Sequence, residues 1–587
     1  MERVSRYPPP IADQLFLLTR VLDCPALLRL PAHAHVDWPT VVQILGEGGR
    51  MASHLLAPIN AAGDMRPAAL IDGRVMTSPG YAAAYRAFAN GGWIGLDLPR
   101  DRGGQGLPRV VQNAFAEMVN GACVAFGMLP LMQRAAARLL LAHGTPEILE
   151  VFVPRLVSGE WAATICISES QAGSDVGRIA TRATRGDDGR WRVTGGKIFI
   201  TFGDQDFTPQ IAHLLLARTP DAPPGTRGLS LFVVPSRRIG PDGTPGEANG
   251  VTVTRVEHKM GLKGSPTCVM SFDNSLAYPV GAPGAGMRRM FTMVNTMRLE
   301  VAMQGVAVAG AATARALAYA AERRQGGPAA EPPPPLASHP DVRSMLLEMR
   351  ALTEGFRAVV LQTAALLDLA HGSEDEGERR RSLALAEWLL PVGKAAGSEA
   401  GFRVANLAVQ VFGGHGYISD SGVEQYVRDA RVMAIYEGAN GIQAIDLVTR
   451  KLGGAGERLG LFVDRVMADL HCHQSACPSL ADALEVAVAD LRVASDWLVA
   501  RLEKQPRDCE AGARAYLELV AVVALGWMWL RMAGAAPGTP LADTKLATAV
   551  FVGEQLLPVS SLLRQRVHAG ARTLDALALE ELCRYPE

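Results

Sequence analysis

The chain has 587 residues, 48% of them hydrophobic, with a net charge of −1. That length suits about three or four domains, and that composition supports a large core and excludes long disorder. The charge balance gives no electrostatic case for nucleic acid or an anionic membrane surface. Eight cysteines, scattered without a short disulfide framework, suit a reduced cytoplasmic protein.

The start, Met1-Glu2-Arg3-Val4-Ser5-Arg6-Tyr7-Pro8-Pro9-Pro10, has no apolar signal core, and residues 1–40 read as an N-terminal extension. From 41 to 158 the pattern is mostly helical, with Ala-rich segments and a Gly/Pro loop at 99–108. The texture changes over 159–280. Short β-rich runs at 161–167, 191–201, 211–217, 229–234, 251–255 and 267–272 are separated by Gly, Pro and Asp, as in a β-barrel. His258-Lys259-Met260-Gly261 reads as a supporting turn.

Over 281–452 the helical period returns, as in a four-helix bundle. Residues 301–321 are crowded with Ala and Gly, which permits close helix approach, and 325–339 carries four consecutive prolines and reads as a linker. The charged run 373–381 reads as a solvated loop. Beyond Gly453-Gly454, residues 453–587 form a further helical region. Leu484, Val488, Leu491, Leu498 and Leu502 mark one face at the 3.6-residue period, expected to pack on the bundle or on a partner subunit. No run approaches the ~20 apolar residues of a membrane span; the stretch 519–530, stopped by Arg531, reads as a buried helix. His471-Cys472-His473 and Cys477 are zinc-ligand types without the paired spacing of a structural site, in what reads as a loop, so no metal is expected. The expected fold class is α+β multidomain: an N-terminal helical domain, a middle β-barrel, a C-terminal four-helix bundle and an extra C-terminal helical domain.

The chemistry concentrates in a few runs. In Ala434-Ile435-Tyr436-Glu437-Gly438-Ala439-Asn440 a lone carboxylate lies between an aromatic residue and a glycine. Poor solvation raises such a pKa towards ~6–7, which suits proton abstraction at neutral pH. The competing reading is an ordinary Glu at a helix start, favoured by the macrodipole. Upstream, Gln410-Val411-Phe412-Gly413-Gly414-His415-Gly416-Tyr417 lets backbone approach a ligand closely, or simply turns the chain. Ile167-Ser168-Glu169-Ser170-Gln171-Ala172-Gly173-Ser174-Asp175 ends an alternating stretch with small hydroxyls and bare N–H groups, and Gly195-Gly196-Lys197-Ile198-Phe199-Ile200-Thr201 follows. Arg298 and the run Tyr319-Ala320-Ala321-Glu322-Arg323 complete the set.

In order and spacing these motifs resemble the acyl-CoA dehydrogenase family over about residues 40–450. The extensions at both ends, with Ser265-Pro266-Thr267-Cys268 and His339-Pro340-Asp341, resemble a longer bacterial subgroup that includes 3-methylmercaptopropionyl-CoA dehydrogenase-like enzymes. The resemblance implies FAD as cofactor, an acyl-CoA substrate, an electron-transfer flavoprotein as partner and a homodimer. It implies flavin contacts from Ser168, Ser174, Phe199, Thr201, Gln410, Gly413, Gly414 and Asn440, and from Arg323 to the flavin phosphates of a neighbouring subunit. Phe199 stands where relatives often have Trp. Substrate contacts fall on Ser174, Asn295, Arg298, Tyr436 and Gly438; Asn295 replaces the usual Asp, and Ala439 the usual Thr.

The implied reaction is α,β-dehydrogenation: Glu437 removes the α-proton, the β-hydride leaves for FAD, and preorganised donors stabilise the enolate charge. Some relatives carry the base just before the substrate Arg. That position is Met297 here, and a helix would aim nearby Glu300 elsewhere. An acyl-CoA oxidase of the same fold and a non-catalytic or DNA-associated member are the alternatives. The second expects a lost base or a basic C-terminal patch, whereas the base is present and basic residues after 450 are offset by acids.

Overall fold

A computed structural model describes residues 7–453 and 456–585. Residues 1–6, on which the signal-peptide reading rests, and Gly454 of the Gly453-Gly454 boundary lie outside the described residues. The chain divides into two compact units, Met1–Pro9 with Pro39–Glu300 and Pro10–Trp38 with Val301–Glu587.

In the first unit the helices α1 (Trp38–Met51), α2 (Arg109–His143) and α3 (Pro146–Ser158) precede most of the strands. Thr145 caps α3, with Pro at its first turn, and Gly159 ends it at φ 81. Gln133 on α2 donates to the Trp161 carbonyl at 2.8 Å, tying that helix to the chain entering the sheet. The strands are β1 (Ala69–Ile71), β2 (Arg74–Met76), β3 (Ala162–Cys166), β4 (Arg182–Arg185), β5 (Trp191–Thr201), β6 (Ile211–Arg218), β7 (Leu229–Pro235), β8 (Arg237–Ile239), β9 (Pro245–Ala248), β10 (Val251–Val256) and β11 (Thr267–Pro279).

Pairing runs β11–β5–β4–β6–β7 and back to β11, which closes the barrel. β3 lies parallel on β6, and β10 antiparallel on β11. Strand β11 runs beyond the expected 272: its alternation breaks at exposed Asp273-Asn274, where the register with β5 shifts, and resumes with Ser275 and Ala277 buried. That added length lets it leave β5 and pair Tyr278 with Val233 of β7. The interior holds Val193, Ile200, Leu215, Phe232, Val234, Cys268 and Phe272. The β1–β2 hairpin interrupts the mostly helical stretch 41–158; it adds Val75 to the barrel core, and Asp204 fastens it by accepting the Val75 N–H at 2.9 Å.

Helix α4 (Gly286–Glu322) passes from the first unit into the second, where α5 (Pro340–Gly372), α6 (Glu376–Phe412), α7 (Glu424–Ala430) and α8 (Asn440–Asp446) follow. The Ala/Gly crowding on α4 does bring helices close: a Cβ on Gly397 of α6 would stand 2.7 Å from the Ala302 carbonyl oxygen. The run 373–381 is a helix start rather than a loop. Asp375 caps α6 by accepting from the Gly377 N–H at 2.7 Å, and most of the charges stay exposed on the helix.

The extra region comprises α9 (Glu457–His473), α10 (Pro478–Val499), α11 (Pro506–Ala535), α12 (Ala542–Phe551) and α13 (Ser560–His568). Leu484, Val488, Leu491 and Leu498 are buried as expected, and their helix packs on α11 and α13; Leu502 lies beyond its end and is only half-buried. Contacts with the bundle come from α9 on α6, from α12 on α5 and from α11, whose Trp529 donates to the Ala351 carbonyl of α5 at 2.9 Å. His471-Cys472-His473 ends α9 instead of lying in a loop, and His471 is bonded at 2.7 Å to the Met467 carbonyl of its own helix.

Within the expected N-terminal extension, the segment Pro10–Trp38 is part of the second unit. Asp13 on the helix Ile11–Phe16 accepts from Arg357 of α5 at 2.6 Å and from buried Lys545 of α12. Four helical stretches, Arg109–His143, Gly286–Glu322, Pro506–Ala535 and Ala542–His568, are also long and apolar enough to cross a membrane. Scattered polar residues interrupt each one, so none reads as one unbroken apolar run. The first three bury 100%, 72% and 78% of their apolar windows, and the fourth 39%.

Candidate active site

The expected site residues fall in both units. In the first unit they gather where β3 leaves the barrel beside β5. The β5–β11 register slips between Cys268 and Met270, so Val269 alone faces Ile198 and Phe199. The bulge leaves Phe199 at φ 61 and 62% exposed. A large aromatic held outward in the left-handed region is strained and unburied, a combination associated with ligand sites. Ser168 lies alongside, its carbonyl accepting the Ile198 N–H at 2.9 Å. Thr201 ends the same strand, opposite Thr267. Ser174 is exposed on the following loop, where a Cβ on Gly173 would meet nothing within 4 Å.

A buried ion pair holds this corner. Lys197 of β5 is 0% exposed and donates to Glu169 at 2.8 Å, to the Leu216 carbonyl at 2.9 Å and to the Ile167 carbonyl at 3.1 Å. Glu169 also accepts from the Thr181 hydroxyl at 2.6 Å, the Ala180 N–H at 2.7 Å and Gln171 at 2.6 Å. Burial alone would raise this carboxyl, but the Lys197 charge and these donors outweigh it and hold the group down at about 2. Both residues lie inside the sequence motifs, yet neither was assigned a role; an acid and an amine in paired motif segments were the available signal.

On α4, Arg298 is buried with its guanidinium 5.6 Å above the Phe291 ring, while Asn295 is exposed. Met297 is fully buried, and Glu300 pairs with buried Arg134 of α2, turned away as the helical period requires.

In the second unit Glu437 is not at a helix start. It lies in a bend before α8, half-buried, at φ 54, followed by Gly438 at φ 86. Two left-handed residues in succession reverse the chain so that the Glu437 side chain leaves a turn instead of a helix face. The bend is pinned from inside. The Gly438 carbonyl accepts from Lys394 of α6 at 2.8 Å and from Gln443 of α8 at 3.1 Å. Tyr436 donates its hydroxyl to Gln304 of α4 at 2.6 Å. Burial first, then the charges of Glu437 and Asp429, push that phenol well above its ordinary pKa, so it stays neutral.

Asn440, expected among the flavin contacts, turns its amide into the bundle, where it donates to Ser398 at 3.0 Å and Glu399 at 2.9 Å and accepts from Lys394 at 3.0 Å. That side chain is committed to holding α8 on α6. Lys394, Gln443 and Gln304 were missed, although a lysine inside the apolar helical run Leu389-Leu390-Pro391-Val392-Gly393-Lys394-Ala395-Ala396 signals a buried partner. Gln410, Gly413, Gly414 and Arg323 are all exposed. Gly413 stands at φ 59, and a Cβ on either glycine would meet nothing within 4 Å. Beside them Tyr319 stacks on Phe412 with ring centres 4.1 Å apart.

A flat aromatic cofactor fits the features of the first unit: an outward ring on a strained bulge, with the hydroxyl-bearing Ser168 and Thr201 on the adjoining strand segments.

Known proteins agree with this architecture. The family descriptions Acyl-CoA dehydrogenase N-terminal, middle and C-terminal domain match residues 65–160, 164–275 and 284–452. Acetyl-CoA dehydrogenase C-terminal like matches 462–578. The chain is 38% identical over 577 residues to 3-methylmercaptopropionyl-CoA dehydrogenase of Ruegeria pomeroyi, covering 96% of this chain and 98% of that protein. It is 31% identical over 607 residues to the broad-specificity linear acyl-CoA dehydrogenase FadE5 of Mycobacterium tuberculosis, covering 97% and 98%. In fold it resembles Caenorhabditis elegans ACDH-11, solved in complex with C11-CoA, with a TM-score of 0.79, 21% identity and coverage of 95% and 94%.

Proposed function

The chain belongs to the acyl-CoA dehydrogenase family, and from that premise we propose that it is an FAD-dependent cytoplasmic enzyme that oxidises an acyl-CoA thioester to the trans-2-enoyl-CoA. The observation that carries the reading is the Glu437 turn, a carboxylate presented from a strained, internally pinned bend. Strain of this kind persists only where the surrounding structure over-determines it.

Glu437 takes the α-proton of the acyl chain. Neutral Tyr436, fixed by Gln304, walls the acyl side and keeps water from the carboxylate. Arg298, Asn295 and Ser174 orient the thioester, and the Gly438 backbone lies at the reacting end. Phe199, Ser168 and Thr201 would hold the flavin ring, and Arg323, Gln410, Gly413 and Gly414 its nucleotide end in a homodimer. The chemistry supplied by bound FAD would be acceptance of the β-hydride, with an electron-transfer flavoprotein as the electron acceptor.

Two curated relatives support two substrate classes, a thioether acyl-CoA and linear fatty acyl-CoAs. An acyl-CoA panel that includes 3-methylmercaptopropionyl-CoA, scored by anaerobic flavin bleaching, distinguishes them. Glu437→Gln is expected to keep its yellow flavin and lose nearly all turnover; turnover near the wild-type rate refutes the assignment. Rapid reoxidation in air, compared with an electron-transfer flavoprotein, would instead identify an oxidase.

A further inference from the structure

Lys394 lies in the middle of α6, 0% exposed, between Gly393 and Ala395. Its ammonium donates to the Gly438 carbonyl at 2.8 Å and to Asn440 Oδ1 at 3.0 Å. Burying an ammonium is costly unless acceptors replace its water. A methionine would fill similar space without that cost, so the packing of α6 does not call for an amine here. The acceptors sit on either side of Ala439, immediately after Glu437. Gln443, also fully buried, gives the same Gly438 carbonyl a second donor at 3.1 Å. The turn they hold contains two left-handed residues, one of them not glycine. Asn440 extends the connection to Ser398, one turn along α6 from Lys394. A rigid helix thus reaches the reacting carboxylate through one amine and one carbonyl.

We infer that Lys394 is a positioning residue: by clamping the Gly438 carbonyl it holds Glu437 in the left-handed turn from which the carboxylate reaches the substrate. The inference rests on Glu437 being the base. Lys394 itself touches neither substrate nor flavin in this role; its bond is to backbone, charge-assisted and short enough to set geometry. Losing it lets the turn relax, and displacement of a catalytic group by ~1 Å costs ~100-fold in rate. Binding of the acyl-CoA should change little, because most of the contacts proposed for the thioester, from Arg298, Asn295 and Ser174, lie on other elements than the clamped turn.

The test uses full-length holoenzyme, the best acyl-CoA from the panel, and the variants Glu437→Gln, Lys394→Met and Lys394→Gln. Lys394→Met is expected to keep its flavin, to lose ~100-fold in kcat and in the anaerobic flavin-reduction rate, and to hold KM within ~3-fold. Lys394→Gln keeps a donor without the charge and should recover at least ~5-fold over the Met variant. A purely structural role predicts no such split and no such recovery. The inference is overturned if Lys394→Met keeps kcat within ~3-fold of wild type, if KM rises while kcat holds, or if the Met and Gln variants are equal. Should Lys394→Met fail to hold flavin, Gln443→Leu removes the other donor to the same carbonyl. It must show the same loss of kcat at constant KM, and a wild-type kcat there also overturns the inference. An active Glu437→Gln brings down the base assignment itself, whereas an inactive Glu437→Gln beside an unimpaired Lys394→Met brings down only the clamp.

Discussion

Replacing Lys197 with Met isolates the ion pair beneath the proposed flavin corner. The substitution keeps the volume of the stem but removes the cation bonded to Glu169, and it strips a donor from the Ile167 and Leu216 carbonyls. Glu169 retains the Thr181 hydroxyl and the Ala180 and Thr181 N–H groups, so the carboxylate is not stranded entirely. Breaking a buried pair from one side costs about 3–5 kcal/mol, and the surviving bonds place this case near the lower end. The Glu169 pKa has the matching sign: against burial, the Lys197 charge and the hydrogen-bond donors hold the carboxyl below its ordinary 4.5, at about 2. Because the folded pKa lies below the unfolded one, this contribution is fully present above pH 4.5 and is lost as pH falls through about 2. Urea titration of the holoenzyme, followed by flavin absorbance, should show Lys197→Met weakened by ~3 kcal/mol, and its acid unfolding should begin at higher pH than in wild type. Adding Glu169→Gln removes the unpaired charge and should restore stability by at least ~1 kcal/mol. If the double variant is as unstable as the sum of the singles, the two groups are not coupled and the account of this corner is wrong.

Phe199→Gly relieves the left-handed strain at φ 61 and removes the exposed ring, so the flavin-free protein should gain ~1 kcal/mol in thermal stability while FAD affinity falls; unchanged FAD affinity removes Phe199 from the flavin site. Gly397→Ala pushes a methyl against the Ala302 carbonyl 2.7 Å away and should destabilise the bundle by ~1–3 kcal/mol in urea unfolding; a neutral effect means the helices can part without cost. Asp13→Asn leaves Arg357 and Lys545 without their shared carboxylate, which Lys545 and Arg357 hold below the ordinary Asp range against the opposing effect of burial. The segment Pro10–Trp38 should then be cut by protease before the rest of the chain, and cleavage no faster than in wild type would show that the pair does not anchor it.

What could be read in advance follows from the range of each interaction. The Tyr436-Glu437-Gly438 turn is local: a glycine after the carboxylate already permits the reversal, although nothing nearby reveals that Glu437 itself goes left-handed. The barrel strands show in alternation because each buries one face. The β1–β2 hairpin carried a good local signal, Asp72-Gly73 with φ 50 and 77 at its tip, and escaped notice because each strand is only 3 residues long. At 373–381 a capping pattern was present in Ser373, Asp375 and Glu378, but the charge density was given more weight than the cap.

The long-range bonds had no such signature. Lys394 and Gly438 are 44 positions apart, and Asp13 and Lys545 are 532 apart. A buried cation announces that some acceptor exists, but sequence gives no means of choosing among distant carbonyls and carboxylates. The consequence for the site is specific. Residues whose chemistry faces the substrate stand in short runs and can be read directly, whereas residues that hold those runs in place lie on other elements. Glu437 illustrates the division: its neighbours in sequence point to it as the proposed base, while the groups bonded to the turn that carries it, Lys394 on α6 and Gln443 on α8, emerge only from the fold.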